Sequence, residues 1–147
     1  ITKYHPREQE LIKTNYDLKD NIMNLTDNLL VENDLDLYQI LNHTDLLISD
    51  YSSVFLDYLI LDKPIIYAIS DLKEYREDRG FVLEPYEKWL AGPSIDNQAS
   101  LQEEIITSLK DLKYYQEERQ ALKNYFHPLD NNSNTYKYFD MLINKEI

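Results

Sequence analysis

The apolar run Leu46, Leu47 and Ile48 passes directly into Ser49, Asp50, Tyr51, Ser52 and Ser53. A buried strand thus ends in three serines and a carboxylate. Where such a strand is followed by a helix, the first-turn N–H groups of the helix point outward and favour an anion. Neighbouring hydroxyls add hydrogen bonds to phosphate oxygens. Ser52 and Ser53 are therefore candidate donor phosphate-binding residues. Asp50 is unwelcome beside a phosphate and is assigned to ordering the turn or binding a sugar-like hydroxyl. Ser49 simply ends the strand. The competing reading, of equal weight on the pattern alone, is that Ser52 or Ser53 only caps the helix.

Two further groups carry chemistry. His5, followed by Pro6 at the end of a first apolar segment, can donate to a phosphoryl oxygen or transfer a proton; the bland alternative is a structural imidazole. In "YREDRG", Arg76 and Arg79 can clamp a pyrophosphate, with Gly80 permitting a tight turn, although charge-rich loops are more often only solvated. His43 and His127 lie near helix ends, where a cap or dipole role suffices.

Composition removes several classes. With Gly80 and Gly92 as its two glycines, the chain has neither a dinucleotide-binding glycine loop nor a P-loop. No cysteine and three scattered histidines leave no closed zinc site, so no metal is assigned. A net charge of -12 repels a nucleic-acid backbone, so no nucleic-acid partner is expected. No apolar run reaches the length of a transmembrane segment, and no basic-then-apolar leader opens the sequence. With 27 acidic side chains, no Asp/Glu pair is informative by itself.

The elements that must position these residues follow from periodicity. Strands are expected at Ile1 to Tyr4, Leu29 to Val31, Leu46 to Ile48 and Ile65 to Ala68, parallel in one sheet. They alternate with helices after Pro6, over "DLDLYQILN" with Asp34 or Asp36 as cap, and over Val54 to Leu61, which Asp62 to Pro64 breaks. The segment "DLKEYREDRGFVLEPYEKWLAGP" reads as a long polar loop. Two helices are expected within "SLQEEIITSLKDLKYYQEERQALKNYF", and a last one over "TYKYFDMLIN". The fold class is α/β: a parallel sheet with flanking helices, Rossmann-like, followed by C-terminal helices. Its ligand site should lie beyond the C-terminal strand ends.

Taken together, "KYHP", "TDLLISDYSSVFLDYLILDKPIIYAISDLKEYREDRGF" and "AGP" resemble the C-terminal half of the CDP-glycerol glycerophosphotransferase family, which builds teichoic-acid-type wall polymers. The resemblance covers nearly the whole chain. It implies the donor-binding half of a GT-B fold, a single C-terminal nucleotide-donor-binding domain over residues 1–147. His5 would be the family's His-Pro histidine near the donor phosphates, catalytic together with Asp50. Ser52 and Ser53 would form the phosphate-side turn. Asp45 and Asp57 would be structural or site-ordering. Asp130 would stand in the family's tail turn, with Asn131 and Asn132 where the family tends to carry glycine.

The expected activity is transfer of a polyol phosphate, glycerol phosphate first, from a CDP-activated donor with release of CMP. No cofactor is needed, CDP-glycerol or a related CDP-polyol being the substrate. A polymer or lipid-linked acceptor would be met through an N-terminal domain, at the cytoplasmic face of a bacterial membrane or in the cytoplasm. A central strand and that His-bearing domain are expected before Ile1. The chain alone should therefore be inactive, and it should close its sheet internally or borrow a strand from another copy. The alternatives are a GT-B glycosyltransferase using a nucleotide sugar and a non-catalytic acidic interaction domain.

Overall fold

A computed structural model describes residues 1–4 and 21–128. The chain divides into two compact units, Ile1–Thr44 and Asp45–Ile147. His5, Asp130, the helix expected after Pro6 and the helix expected over "TYKYFDMLIN" lie outside the described residues.

In the first unit, helix α1 spans Asp27–Glu32 and α2 spans Leu37–Asn42. The strand expected at Leu29 to Val31 is thus helical. A short apolar run suits either state, and the cap decides: the Thr26 side chain accepts from the Leu29 N–H, and Asp27 puts a negative charge in the first turn. Leu30 is buried, whereas Val31 is 79% exposed, a helical rather than an alternating pattern. Asp36 caps α2 in a capping box with Gln39, while Asp34 takes a left-handed conformation. His43 closes α2 as its C-cap. The segment Ile1 to Tyr4 does not form a strand of the sheet; Thr2 makes one isolated parallel bridge to Asn24.

The second unit holds the sheet. Its strands are β1 (Leu47–Ser49), β2 (Ile65–Ala68) and β3 (Ser94–Ile95), all parallel and in the order β1-β2-β3. Leu47 faces Ile65 and Ser49 faces Tyr67; Tyr67 also faces Ser94. Helix α3 (Val54–Tyr58) runs into a 3-10 turn (Leu59–Leu61) and connects β1 to β2. Asp62, left-handed at φ 50°, ends this crossover before Pro64. Phe55, Tyr58 and Leu59 are buried with Ile65, Ile66 and Tyr67 of the central strand. The Phe55 ring meets Tyr67 edge-on at 5.4 Å.

The region expected to be a polar loop contains helix α4 (Leu72–Asp78), a 3-10 turn (Tyr86–Trp89) and β3. Gly80, at φ +69°, reverses the chain after α4, its N–H bonding to the Tyr75 carbonyl. The expected helix pair is present as α5 (Gln98–Lys110), packed on β2 and β3, and α6 (Gln116–Phe126), packed on the 3-10 turn after α3. Polar contacts pin α6. Arg119 is 1% exposed and donates to Asp62 Oδ1 and to the carbonyls of Tyr114 and Leu112. His127, the C-cap of α6, meets the Leu56 carbonyl through Nε2 at 2.9 Å. This parallel sheet with flanking and C-terminal helices is the α/β architecture expected of a Rossmann-like half of a GT-B fold.

Candidate functional site

The chain leaves β1 at Ser49 and enters α3 at Val54, so Asp50 to Ser53 form the turn at the C-terminal edge of the sheet. Asp50 organises this turn: its Oδ1 accepts the Ser52 backbone N–H at 3.0 Å, an Asx-type turn. Ser49 is buried at the strand end and its hydroxyl has no hydrogen-bond partner.

Ser53 occupies the N-cap position of α3 but does not cap it. Its backbone is helical (φ -65°, ψ -8°) rather than extended, and its side chain makes no cap hydrogen bond. The expectation that Ser52 or Ser53 caps the helix therefore fails for Ser53. Asp71, at the N-cap of α4 after β2, likewise makes no cap bond. Thr26, Asp36 and Asn97 all cap their own helices. Tyr115, ahead of α6, is also uncapped, but it follows no strand; Ser53 and Asp71 follow β1 and β2, at the sheet edge where parallel α/β folds bind ligands.

Asp71 is engaged elsewhere. Its Oδ1 accepts the Tyr51 hydroxyl at 2.6 Å. Burial, and then this carboxylate, push the Tyr51 phenol well above the ordinary tyrosine range, so it stays a donor. The Tyr51 ring stacks on Tyr75 of α4 at 3.9 Å; Tyr75 stacks on Phe81 at 5.2 Å, and Phe81 on Tyr86 at 4.4 Å. Tyr86 is buried, and its hydroxyl donates to the Asp50 carbonyl at 3.3 Å. These tyrosines escaped the sequence reading. Their sequence signal is only the recurrence of aromatic residues, Tyr51, Tyr75, Phe81 and Tyr86, in the stretch from the turn onward.

The structure brings Asp50, Ser52 and Ser53 together, and Tyr51 stacked on Tyr75 carries the neighbouring α4 to the same edge. Arg76 on α4 reaches Glu84 (3.2 Å) and Glu87 (2.7 Å), and its guanidinium lies 5.6 Å from the Phe81 ring centroid. The Arg76 hydrogen bond holds Glu87 below the usual carboxylate range. Arg79 is more exposed; it stands 4.0 Å from Asp78 and 5.8 Å from the Tyr75 ring centroid. Asp57 sits on α3. Asp45 precedes β1 and so lies at the opposite strand end from the serine turn. Among the described residues no cluster of His, Cys, Asp and Glu could hold a metal, and no helix is long and apolar enough to cross a membrane.

Comparison with known proteins places this geometry in context. The sequence model of the family described as CDP-Glycerol:Poly(glycerophosphate) glycerophosphotransferase matches residues 1–144. The teichoic acid glycerol-phosphate primase of Bacillus subtilis (strain 168) is 35% identical over 107 residues, 73% of this chain and 26% of the relative. The teichoic acid ribitol-phosphate primase of Bacillus spizizenii is 33% identical over 101 residues, 69% of this chain and 24% of the relative. Among solved structures, a variant of the wall teichoic acid polymerase TagF soaked with CDPG matches with a TM-score of 0.65 and 28% identity. That match covers 97% of this chain and 33% of the other. The chain thus spans about a quarter to a third of the lengths of these relatives.

Proposed function

The chain belongs to the CDP-glycerol:poly(glycerophosphate) glycerophosphotransferase family, and from that premise we propose that it is the donor-binding domain of a polyol-phosphate transferase acting in wall-polymer synthesis. The donor is CDP-glycerol or a related CDP-polyol. An acceptor hydroxyl attacks the β-phosphorus, the bond from that phosphorus to the bridging oxygen breaks, and CMP leaves. The hydroxyl proton passes to a base, the role assigned to His5. The acceptor, a teichoic-acid-type polymer or its lipid-linked primer, meets a second domain, and the reaction takes place at the cytoplasmic membrane face. Glycerol phosphate is the first choice of transferred group, although ribitol-phosphate enzymes stand among the relatives.

Phosphoryl transfer asks a protein mainly for positioning and for stabilisation of negative oxygens. Ser52 and Ser53 supply hydroxyls to the donor phosphates, and Arg79 supplies a cation. Asp50, whose carboxylate holds the Ser52 N–H, shapes the turn. The observation that carries this reading is the exposed Ser53 hydroxyl at an N-cap position that it does not cap.

The test is the Ser52→Ala/Ser53→Ala double variant in the full-length protein. Each lost hydrogen bond to a charged phosphoryl group is worth about 1.5–3 kcal/mol, or roughly 10- to 150-fold in rate. The expected result is a fall in kcat/KM for CDP-glycerol with an unchanged unfolding midpoint. Lowered stability with unchanged kinetics would reduce the serines to a structural role. Competition by UDP- or GDP-sugars in place of CDP-glycerol would redirect the assignment to sugar transfer.

A further inference from the structure

The serine turn is held from outside by a continuous set of contacts. Arg76 binds Glu84 Oε1; Glu84 Oε2 accepts the Tyr86 backbone N–H at 3.2 Å; the Tyr86 hydroxyl donates to the Asp50 carbonyl; the Asp50 carboxylate accepts the Ser52 N–H. Glu87 accepts from Nη2 of the same guanidinium. The Tyr86 ring is fixed face-on against Phe81, with an interplanar angle of 17°.

We propose that Tyr86 is a positioning residue for donor binding: buttressed by Glu84 and Arg76, it fixes the Asp50 carbonyl and thereby the direction of Ser52 and Ser53. The inference rests on the reading of those serines as phosphate ligands. It gives Arg76 a different place from the pyrophosphate clamp expected of it, since its Nε and Nη2 are held by the carboxylates of Glu84 and Glu87. The geometry suits the task. The Asp50 carbonyl lies within the Asx-type turn that leads into Ser52 and Ser53, and one buried residue donates to it. Burial, followed by the nearby Asp50 charge, pushes the Tyr86 phenol up to about 12, so the proton it donates is present throughout the working range. The ring stack adds stiffness. Tyr86 cannot leave the carbonyl without sliding along Phe81, which is itself stacked on Tyr75.

The test uses Tyr86→Phe in the full-length protein, which keeps the ring stack and removes only the hydroxyl. Affinity for CDP-glycerol, titrated calorimetrically, should fall about two- to tenfold, the range of one neutral hydrogen bond, with the unfolding midpoint close to wild type. In the Ser52→Ala/Ser53→Ala background the same substitution should have a smaller effect, because the groups it positions are gone. Glu84→Gln, which weakens the buttress but leaves an acceptor for the Tyr86 N–H, should give a lesser loss in the same direction. Wild-type affinity in Tyr86→Phe, or an equal loss in both backgrounds, overturns the positioning role while leaving the serine effect intact. Unchanged affinity in the serine variant itself overturns the phosphate reading, and the inference with it.

Discussion

Gly92 is the position at which a methyl group should do most damage. A Cβ built there would lie 1.8 Å from the Ile65 carbonyl oxygen and 2.9 Å from its carbon, whereas real Cβ contacts under 3.0 Å essentially do not occur. The backbone would have to move by over 1 Å, and neither side can yield easily. Ile65 belongs to β2, the central strand, where Ile65, Ile66 and Tyr67 are almost wholly buried. On either side of Gly92, the Ala91 N–H donates to the Tyr67 hydroxyl at 3.2 Å, and the Pro93 carbonyl accepts the Tyr67 N–H at 2.9 Å. Overpacking a core costs about 1–3 kcal/mol, and loosening two buried hydrogen bonds adds about 1 kcal/mol each. Gly92→Ala should therefore cost about 3–5 kcal/mol, a large part of the ~5–15 kcal/mol that holds a domain together. At roughly 2–4 °C per kcal/mol the melting temperature should drop by about 6–20 °C. Gly80→Ala is the internal comparison. Its Cβ would meet nothing nearer than the Arg76 carbonyl at 3.9 Å, and its cost is the positive φ alone, about 1 kcal/mol. Thermal and urea unfolding followed by circular dichroism would read both. A Gly92→Ala loss no larger than that of Gly80→Ala would refute the close-approach reasoning.

Three other substitutions test buried and partly buried polar groups. Arg119→Met should destabilise by about 3 kcal/mol, the low end for breaking a buried pair, because Asp62 keeps 24% of its side chain exposed and can rehydrate; a urea midpoint within error of wild type would contradict this. Burial tends to raise the Asp62 pKa, but hydrogen bonds from Gln116, Gln120 and Arg119 outweigh it and hold the carboxyl below its ordinary range. Its stabilising contribution is therefore full above about pH 5 and disappears as pH falls through the lowered pKa, so Asp62→Asn should flatten the acid limb of the stability profile. A variant whose acid limb stays as steep as wild type would contradict that. Ser49→Ala removes a buried hydroxyl without a partner and should be neutral or stabilising by up to about 1 kcal/mol; a clear loss of stability would show that the hydroxyl is bonded in solution.

By itself the sequence determined whatever is contiguous along it. The strand of Leu47 to Ser49, the crossover ending at Asp62, the strand of Ile65 to Ala68 and the paired helices near the C-terminus each follow from a local run of residues. So does the position of Asp50, Ser52 and Ser53 at the sheet edge, because a strand followed at once by a helix leaves no other place for them. The tertiary structure alone decided the rest. Leu29 to Val31 by itself fits a strand or a helix equally, and packing that buries Leu30 and leaves Val31 exposed goes with the helix. The residues that hold the serine turn come from far along the chain: Asp71 is 20 positions from Tyr51, and Tyr86 is 36 from Asp50. The sequence marks Arg76 as a pyrophosphate clamp or a solvated charge, and only the fold brings Glu84 and Glu87 to its guanidinium. Periodicity carries information about which face of an element is buried. It carries none about which distant hydroxyl or carboxylate meets a given backbone carbonyl, because that pairing exists only once separate elements have packed.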